Sequence, residues 1–110
     1  MTAPFTVKDR ILLLLYSRRN FYNDFDRPDD MCQDGMARVL GISRQHAAVE
    51  LRKLADQGMI EGHLTHIKNR RTRKITYTLL PIGFNEAQTM TAIIKGQGNT
   101  IQRVIMGATA

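Results

Sequence analysis

The chain has 110 residues, 43% hydrophobic and 24% charged, which supports one hydrophobic core and excludes a disordered polar tail. Sixteen Lys and Arg against ten Asp and Glu leave a net charge of +6, a balance that favours polyanionic partners such as nucleic acid or anionic lipid. The single cysteine, Cys32, excludes an intramolecular disulfide, so nothing in the cysteine count indicates an oxidising compartment and a cytoplasmic location is expected.

Val7 to Arg19 contains neither Gly nor Pro, is Leu-rich at its centre and ends in Arg18 and Arg19, which complement a helix dipole; it predicts a first helix. Its apolar run, Ile11 to Tyr16, is too short to span a bilayer, and the charged flanks offer no small-residue cleavage site. It reads as a core helix, with no membrane partner. Asn20 to Met31 then concentrates turn formers (Asn23, Asp24, Asp26, Pro28, Asp29, Asp30) around Phe21, Tyr22 and Phe25, predicting an ordered loop whose aromatics pack back on the core.

Gln33 to Leu40 predicts a second helix, with Met36, Ala37 and Leu40 on one face and Gly41 as its left-handed cap. Ser43 caps a third, in which Ala47, Leu51, Leu54 and Ala55 form the buried face until Gly58 ends it. The opposite face carries Arg44, Gln45, Ala48, Val49, Arg52 and Lys53, with His46 and Glu50 at the boundary. Past Gly58 the period changes to two. Ile75, Tyr77 and Leu79 alternate with Thr76 and Thr78 as a half-buried strand, Met59 to Ile67 is its partner, and the basic run Lys68-Asn69-Arg70-Arg71-Thr72-Arg73 is the tip of the hairpin. Residues 60–80 carry five basic and one acidic side chain, which makes this stretch the main source of the positive charge. Pro81 and Gly83 punctuate the chain before a fourth helix over Phe84 to Lys95, and Gly96 and Gly98 precede a last apolar group, Ile101, Val104 and Ile105.

The segment from Met36 to Leu54 has helix-turn-helix spacing: a small residue, Ala37, lets two helices approach, Gly41 makes the turn, and small Ala47 packs back on the first of them. The continuation Ala55-Asp56-Gln57-Gly58-Met59-Ile60 resembles the passage from recognition helix to wing in winged-helix regulators, and Thr76 to Gly83 is similar to the strand and junction that follow the wing. From about Val7 to Ala87 the chain therefore resembles the DNA-binding core of the multiple-antibiotic-resistance (MarR) family and its relatives. A closer likeness, carried by Pro28 to Ala37, is to archaeal winged-helix proteins in which an acidic loop precedes a Gln-x-Gly-x-Ala helix. The chain departs from the MarR pattern in lacking a long N-terminal dimerisation helix.

This resemblance implies an α+β fold, mainly α, with a three-helix core, a β-hairpin wing and a C-terminal helix. It divides the chain into a winged-helix DNA-binding domain over residues 1–87 and a C-terminal helical segment over 88–110. The implied function is sequence-specific binding of double-stranded DNA in transcriptional regulation. The third helix, residues 43–57, would enter the major groove with Arg44 and Gln45 on base edges and Ala48 and Val49 on thymine methyls, while Ser43, Arg52 and Lys53 hold phosphates and His46 flanks them. Lys68, Arg70, Arg71, Arg73 and Lys74 would follow the DNA backbone as a wing. Met90, Ile93, Ile94, Ile101, Val104 and Ile105 exceed what one short helix can hide, which predicts a homodimer through the C-terminal segment.

Other chemistries find less support. His63 and His66, three residues apart on a strand, point to opposite faces and do not share a metal; Cys32 has no second thiol; and Asp24, Asp26, Asp29 and Asp30 lack the Gly and terminal Glu of a calcium loop. No phosphate-binding loop, nucleophile elbow or paired acidic motif occurs, so neither an enzyme nor a cofactor is expected. An RNA or single-strand binder would use exposed stacking aromatics, and Phe21, Tyr22 and Phe25 are expected away from the basic hairpin, which ranks that alternative second. Against a winged helix that binds only protein, as part of a larger assembly, stand Arg44, Arg52 and Lys53 on the third helix.

Overall fold

Six consecutive residues of the first helix, Ile11 to Tyr16, are buried, a condition that only a helix enclosed on all sides can meet. The computed structural model describes residues 5–107 and places this helix, α1 (Val7–Ser17), at the centre of the core. Thr6 starts it with a capping box: its hydroxyl accepts from Asp9 N, and the Asp9 carboxylate accepts from Thr6 N. The helix ends at Ser17, short of the expected Arg19, where the Arg18 backbone leaves helical geometry at φ -101° and ψ 12°, and the Arg18 side chain pairs with the Asp30 carboxylate at 2.7 Å. Arg19 keeps the expected place at the dipole's negative end, donating to the Tyr16 carbonyl at 2.9 Å within a 3-10 turn (Arg19–Phe21).

The loop that follows holds two short elements the sequence does not announce, β1 (Asp26–Arg27) and a 3-10 turn (Asp29–Met31). Tyr22 packs inward as expected, its hydroxyl donating to Leu15 O at 2.7 Å and accepting from Leu79 N at 3.2 Å. Phe25 does not. It is 78% exposed, because β1 ties the backbone beside it to the hairpin and carries the ring outward.

α2 (Gln33–Leu40) and α3 (Arg44–Asp56) have the predicted bounds to within a residue or two, joined by Gly41 at φ 69° and started by Ser43 Oγ, which accepts from His46 N at 3.0 Å. Ala47, Leu51 and Leu54 are buried, but Ala55, expected with them, is exposed; it lies about 100° around the helix from Leu54 and falls at the rim. β2 (Ile60–Ile67) and β3 (Arg73–Leu79) pair antiparallel with Ile60 opposite Leu79, Leu64 opposite Ile75 and His66 opposite Arg73. β1 adds in parallel to the outer edge of β2, giving a three-stranded sheet in the order β1-β2-β3. Asn69 in the turn has φ 64°, a left-handed conformation that Asn tolerates better than other side-chain-bearing residues.

α4 (Pro81–Gly96) begins three residues before the expected start, with Pro81 in its first turn. Gly83 is not punctuation but a point of close approach: a Cβ there would run into the Met59 carbonyl oxygen. The helix runs unbroken past residues 87 and 88, so the expected division at that point falls inside one element, and α4 and α5 (Ile101–Ile105) both pack on α1. Ile94, Val104 and Ile105 are buried in the same cluster as Leu12 and Leu51, Met90 and Ile101 pack partly against it, and only Ile93 of the expected surplus is exposed. The apolar excess read as a dimer surface is thus covered largely within the chain. Arg10 fastens this arrangement, donating through Nη2 to Leu40 O at 2.7 Å and through Nε to Ile105 O at 3.0 Å, at the C-terminal ends of α2 and α5. The result is an α+β fold of five α-helices and a three-stranded sheet among the described residues. No helix among them is long and apolar enough to cross a membrane.

Candidate nucleic-acid interface

The expected site residues divide into three groups by the element that carries them. On α3, Gln45, Val49 and Arg52 recur at spacings of four and three, so they share an exposed stripe, with half-buried Ala48 beside it. Ser43 caps the helix, and His46 and Lys53 lie 3.9 and 3.6 Å from Glu50 along its flank. Arg52 forms no ion pair among the described residues. This face is free to meet a partner because the buried stripe of Ala47, Leu51 and Leu54 turns α3 inward along its other side.

At the start of α3 the geometry is more constrained than the sequence suggests. Asp34, in the first turn of α2, pairs with Arg44 Nε at 2.9 Å through one oxygen and meets Lys74 Nζ at 3.3 Å through the other. Gln33 Nε2 donates to Arg44 O at 3.3 Å. These contacts join α2, α3 and β3 at one point and border an open cleft of about 380 Å³ lined by Asp34, Arg38, Arg44, Arg70 and Lys74 together with Ala37 and Ile42. Four cations from four parts of the chain therefore face one concavity.

Asp29 is the second acidic anchor. It binds Arg38, lies 3.8 Å from Arg70 and accepts from Cys32 Sγ at 3.5 Å. Burial raises its carboxyl pKa, but the hydrogen bonds from Arg38 and Cys32 and the charges of Arg38 and Arg70 outweigh burial and hold it below the ordinary carboxylate range. Cys32 itself is buried; burial pushes its thiol pKa up, and the neighbouring Asp29 adds to the shift.

The third group is the hairpin tip. Lys68, Arg70, Arg71 and Arg73 are exposed, and Lys74 is half-buried under Asp34. Among the described residues Lys68, Arg71 and Arg73 have no acidic partner, whereas Arg44, Arg70 and Lys74 do. His66 Nδ1 lies 2.8 Å from Asp26 Oδ1, and its ring stacks on Phe25 with centroids 5.7 Å apart and planes 17° from parallel. Lys68 Nζ sits 5.5 Å from the Phe21 ring. Phe21 and Phe25 thus lie beside the basic hairpin, contrary to the expectation that placed them away from it, because β1 pairs with β2 next to its tip. His63 stands elsewhere on the sheet, opposite Thr76 and 3.1 Å from Glu61, and shares no contact with His66.

Sequence reasoning missed Asp34, Asp29, Arg38 and the Phe25–His66 pair. Asp34 and Arg38 stand four apart on α2, a spacing that places both on one face; the loop residues Phe25 and Asp29 carried no periodic signal. Comparison with protein-family models, with curated proteins and with solved structures gives no match to this chain.

Proposed function

We propose that the chain is a winged helix-turn-helix domain that binds double-stranded DNA sequence-specifically in transcriptional regulation. The observation that carries this reading is the juxtaposition of an exposed α3 stripe with a basic hairpin, braced to each other through Asp34. An α-helix of this kind fits the major groove, and a cationic hairpin beside it is placed to follow the flanking phosphates. In this reading Gln45 reaches into the groove, Ala48 and Val49 offer apolar contacts to thymine methyls, and Arg52, Lys68, Arg71 and Arg73 contact the backbone. Arg44 and Lys74 stand at the border between the two, where a phosphate competes with Asp34 for them.

The deciding experiment is a titration of the full chain against random duplex DNA, single-stranded DNA and duplex RNA over a range of salt, followed by selection of a preferred duplex. Duplex DNA binding with a steep salt dependence, and a selected site bound well above random sequence, supports the proposal. Equal affinity for selected and random duplex removes sequence-specific regulation from it. Tighter binding to RNA supports the alternative of an RNA-binding domain, which the aromatic rings beside the hairpin favour.

A further inference from the structure

Phe25 is the most exposed large apolar side chain among the described residues, at 78%. A single exposed Phe is ordinary on a protein surface. This one differs in being oriented: one face of its ring lies against the His66 imidazole, the imidazole is held by Asp26, and both residues sit where β1 and β2 pair. The other face of the ring is left to solvent. Among the described residues no hydrophobic neighbour covers it, and the backbone pairing that carries Phe25 outward also prevents it from folding back on the core.

Asp24 and Asp26 flank Phe25 in sequence, and Asp26 is engaged by His66, while the cations on the hairpin side of the ring are uncommitted. Arg73 stands directly across the strand pair from His66, and Lys68 N donates to Arg27 O, which places the Lys68 backbone beside β1, with its ammonium over Phe21. Neither has an acidic partner among the described residues, while the hairpin cations on the α2 side, Arg70 and Lys74, are held by Asp29 and Asp34. An open aromatic face flanked by free cations is the arrangement that takes an unpaired nucleobase: the ring stacks on the base, and the cations meet the phosphates on either side of it. A base inside a duplex is stacked on both sides and only the terminal pair of a blunt end exposes a face, whereas an unpaired tail offers a face at every base together with flanking phosphates, so this edge fits a tail better than a blunt end.

We infer that the Phe25 edge of the hairpin is a stacking platform for an unpaired base, and that the chain prefers a DNA duplex carrying a single-stranded tail over the same duplex with blunt ends. The inference rests on the DNA-binding reading for the duplex part and stands apart from it for the tail.

The test uses the full chain with three DNAs: a blunt duplex, the same duplex with a short unpaired tail, and the tail strand alone. The chain contains no Trp, so Phe25→Trp introduces a single indole whose emission reports stacking. The tailed duplex should bind about tenfold more tightly than the blunt one, the scale of one stacked base. Phe25→Ala should erase that preference with little effect on blunt-duplex affinity, and the indole emission of Phe25→Trp should be quenched more strongly by the tailed duplex and by the single strand than by the blunt duplex. Equal affinity of the unsubstituted chain for tailed and blunt duplexes overturns the inference, as does an equal loss on both in Phe25→Ala. If no duplex binds but the single strand quenches the indole, the duplex reading falls and the platform stands; if nothing binds and nothing quenches, both fall.

Discussion

Asp34 and Arg44 form an ion pair at 2.9 Å between the first turn of α2 and the first residue of α3, and Lys74 shares the same carboxylate at 3.3 Å. A residue assigned on sequence to a base edge is thus partly occupied by an internal anion. Replacing Asp34 by Asn removes that anion with little change in volume and releases two of the four cations that face the cleft, Arg44 and Lys74. Asp34→Asn should bind duplex more tightly, with a log-log salt slope steeper by up to about 0.9 per added phosphate contact. A loss of affinity would show instead that Asp34 holds Arg44 in the productive orientation.

The hairpin arginines should not be equivalent. Arg70 lies 3.8 Å from Asp29, whereas Arg71 has no acidic partner among the described residues. A committed cation releases fewer counterions on binding than a free one. Arg71→Ala should therefore weaken binding to all duplexes alike and flatten the salt slope by about 0.9, and Arg70→Ala should do so by less. Equal effects would mean that the Arg70–Asp29 contact gives way when DNA binds.

In the proposed DNA-binding reading, sequence readout would fall chiefly on Gln45. Its side chain is exposed on the α3 stripe, and its terminal amide matches the adenine edge in the major groove. Gln45→Ala should cost about 1–3 kcal/mol on a selected duplex and much less on random DNA, measured by parallel titrations at fixed salt. If both duplexes lose equally, Gln45 is a backbone contact and readout lies elsewhere on the helix.

The regular elements were legible because their signals are local. Gly41 and Ser43 mark the turn between α2 and α3 through backbone conformation and capping, and the alternation of Ile75, Tyr77 and Leu79 marks β3. What was not legible depends on which parts of the chain meet. The aromatic loop gives no hint that Asp26 and Arg27 pair with His66 and Ile67, forty residues away, and that pairing alone decides that Phe25 faces solvent and Phe21 lies under Lys68. The apolar residues of α4 and α5 are recognisable as apolar in sequence, but nothing in a one-dimensional pattern shows that α1 is enclosed on every side and that most of them cover it. The charge of the hairpin was visible, and its partial neutralisation by Asp29 and Asp34 was not.

Arg10 provides a stability test of how the C-terminal helices are held. Its guanidinium donates to Leu40 O and Ile105 O, so two helix C-termini depend on one side chain. Arg10→Met keeps much of the stem and removes both donors. It should lower unfolding stability by about 2 kcal/mol, the scale of charged hydrogen bonds at partly buried carbonyls, seen as a lower denaturant midpoint with the slope preserved. Arg10→Lys should recover part of the loss through charge at the helix ends, but not all, because one ammonium cannot reproduce the fork geometry.

Self-association now rests on a smaller surface than the sequence suggested. Ile94, Val104 and Ile105 are buried within the chain, so truncation after Leu80 would strip the core instead of testing a dimer. What α4 does expose is Ile82 and Ile93, 58% and 48% accessible, and eleven residues apart they lie three turns along one face of the helix. A two-fold pair built on this stripe would bury both residues twice and bring two α3 helices into one assembly, which favours an inverted-repeat site on the DNA. Sedimentation of the full chain should then give a dimer that Ile82→Glu with Ile93→Glu converts to monomer without lowering the unfolding midpoint, because neither residue is in the core. A monomer for the unsubstituted chain, at concentrations well above those that saturate duplex, would remove the dimer and leave a single α3 and hairpin per site. A dimer that survives both substitutions would move the contact to another exposed apolar surface, of which the Leu64 and Ile75 pair on the hairpin is the largest cross-strand one.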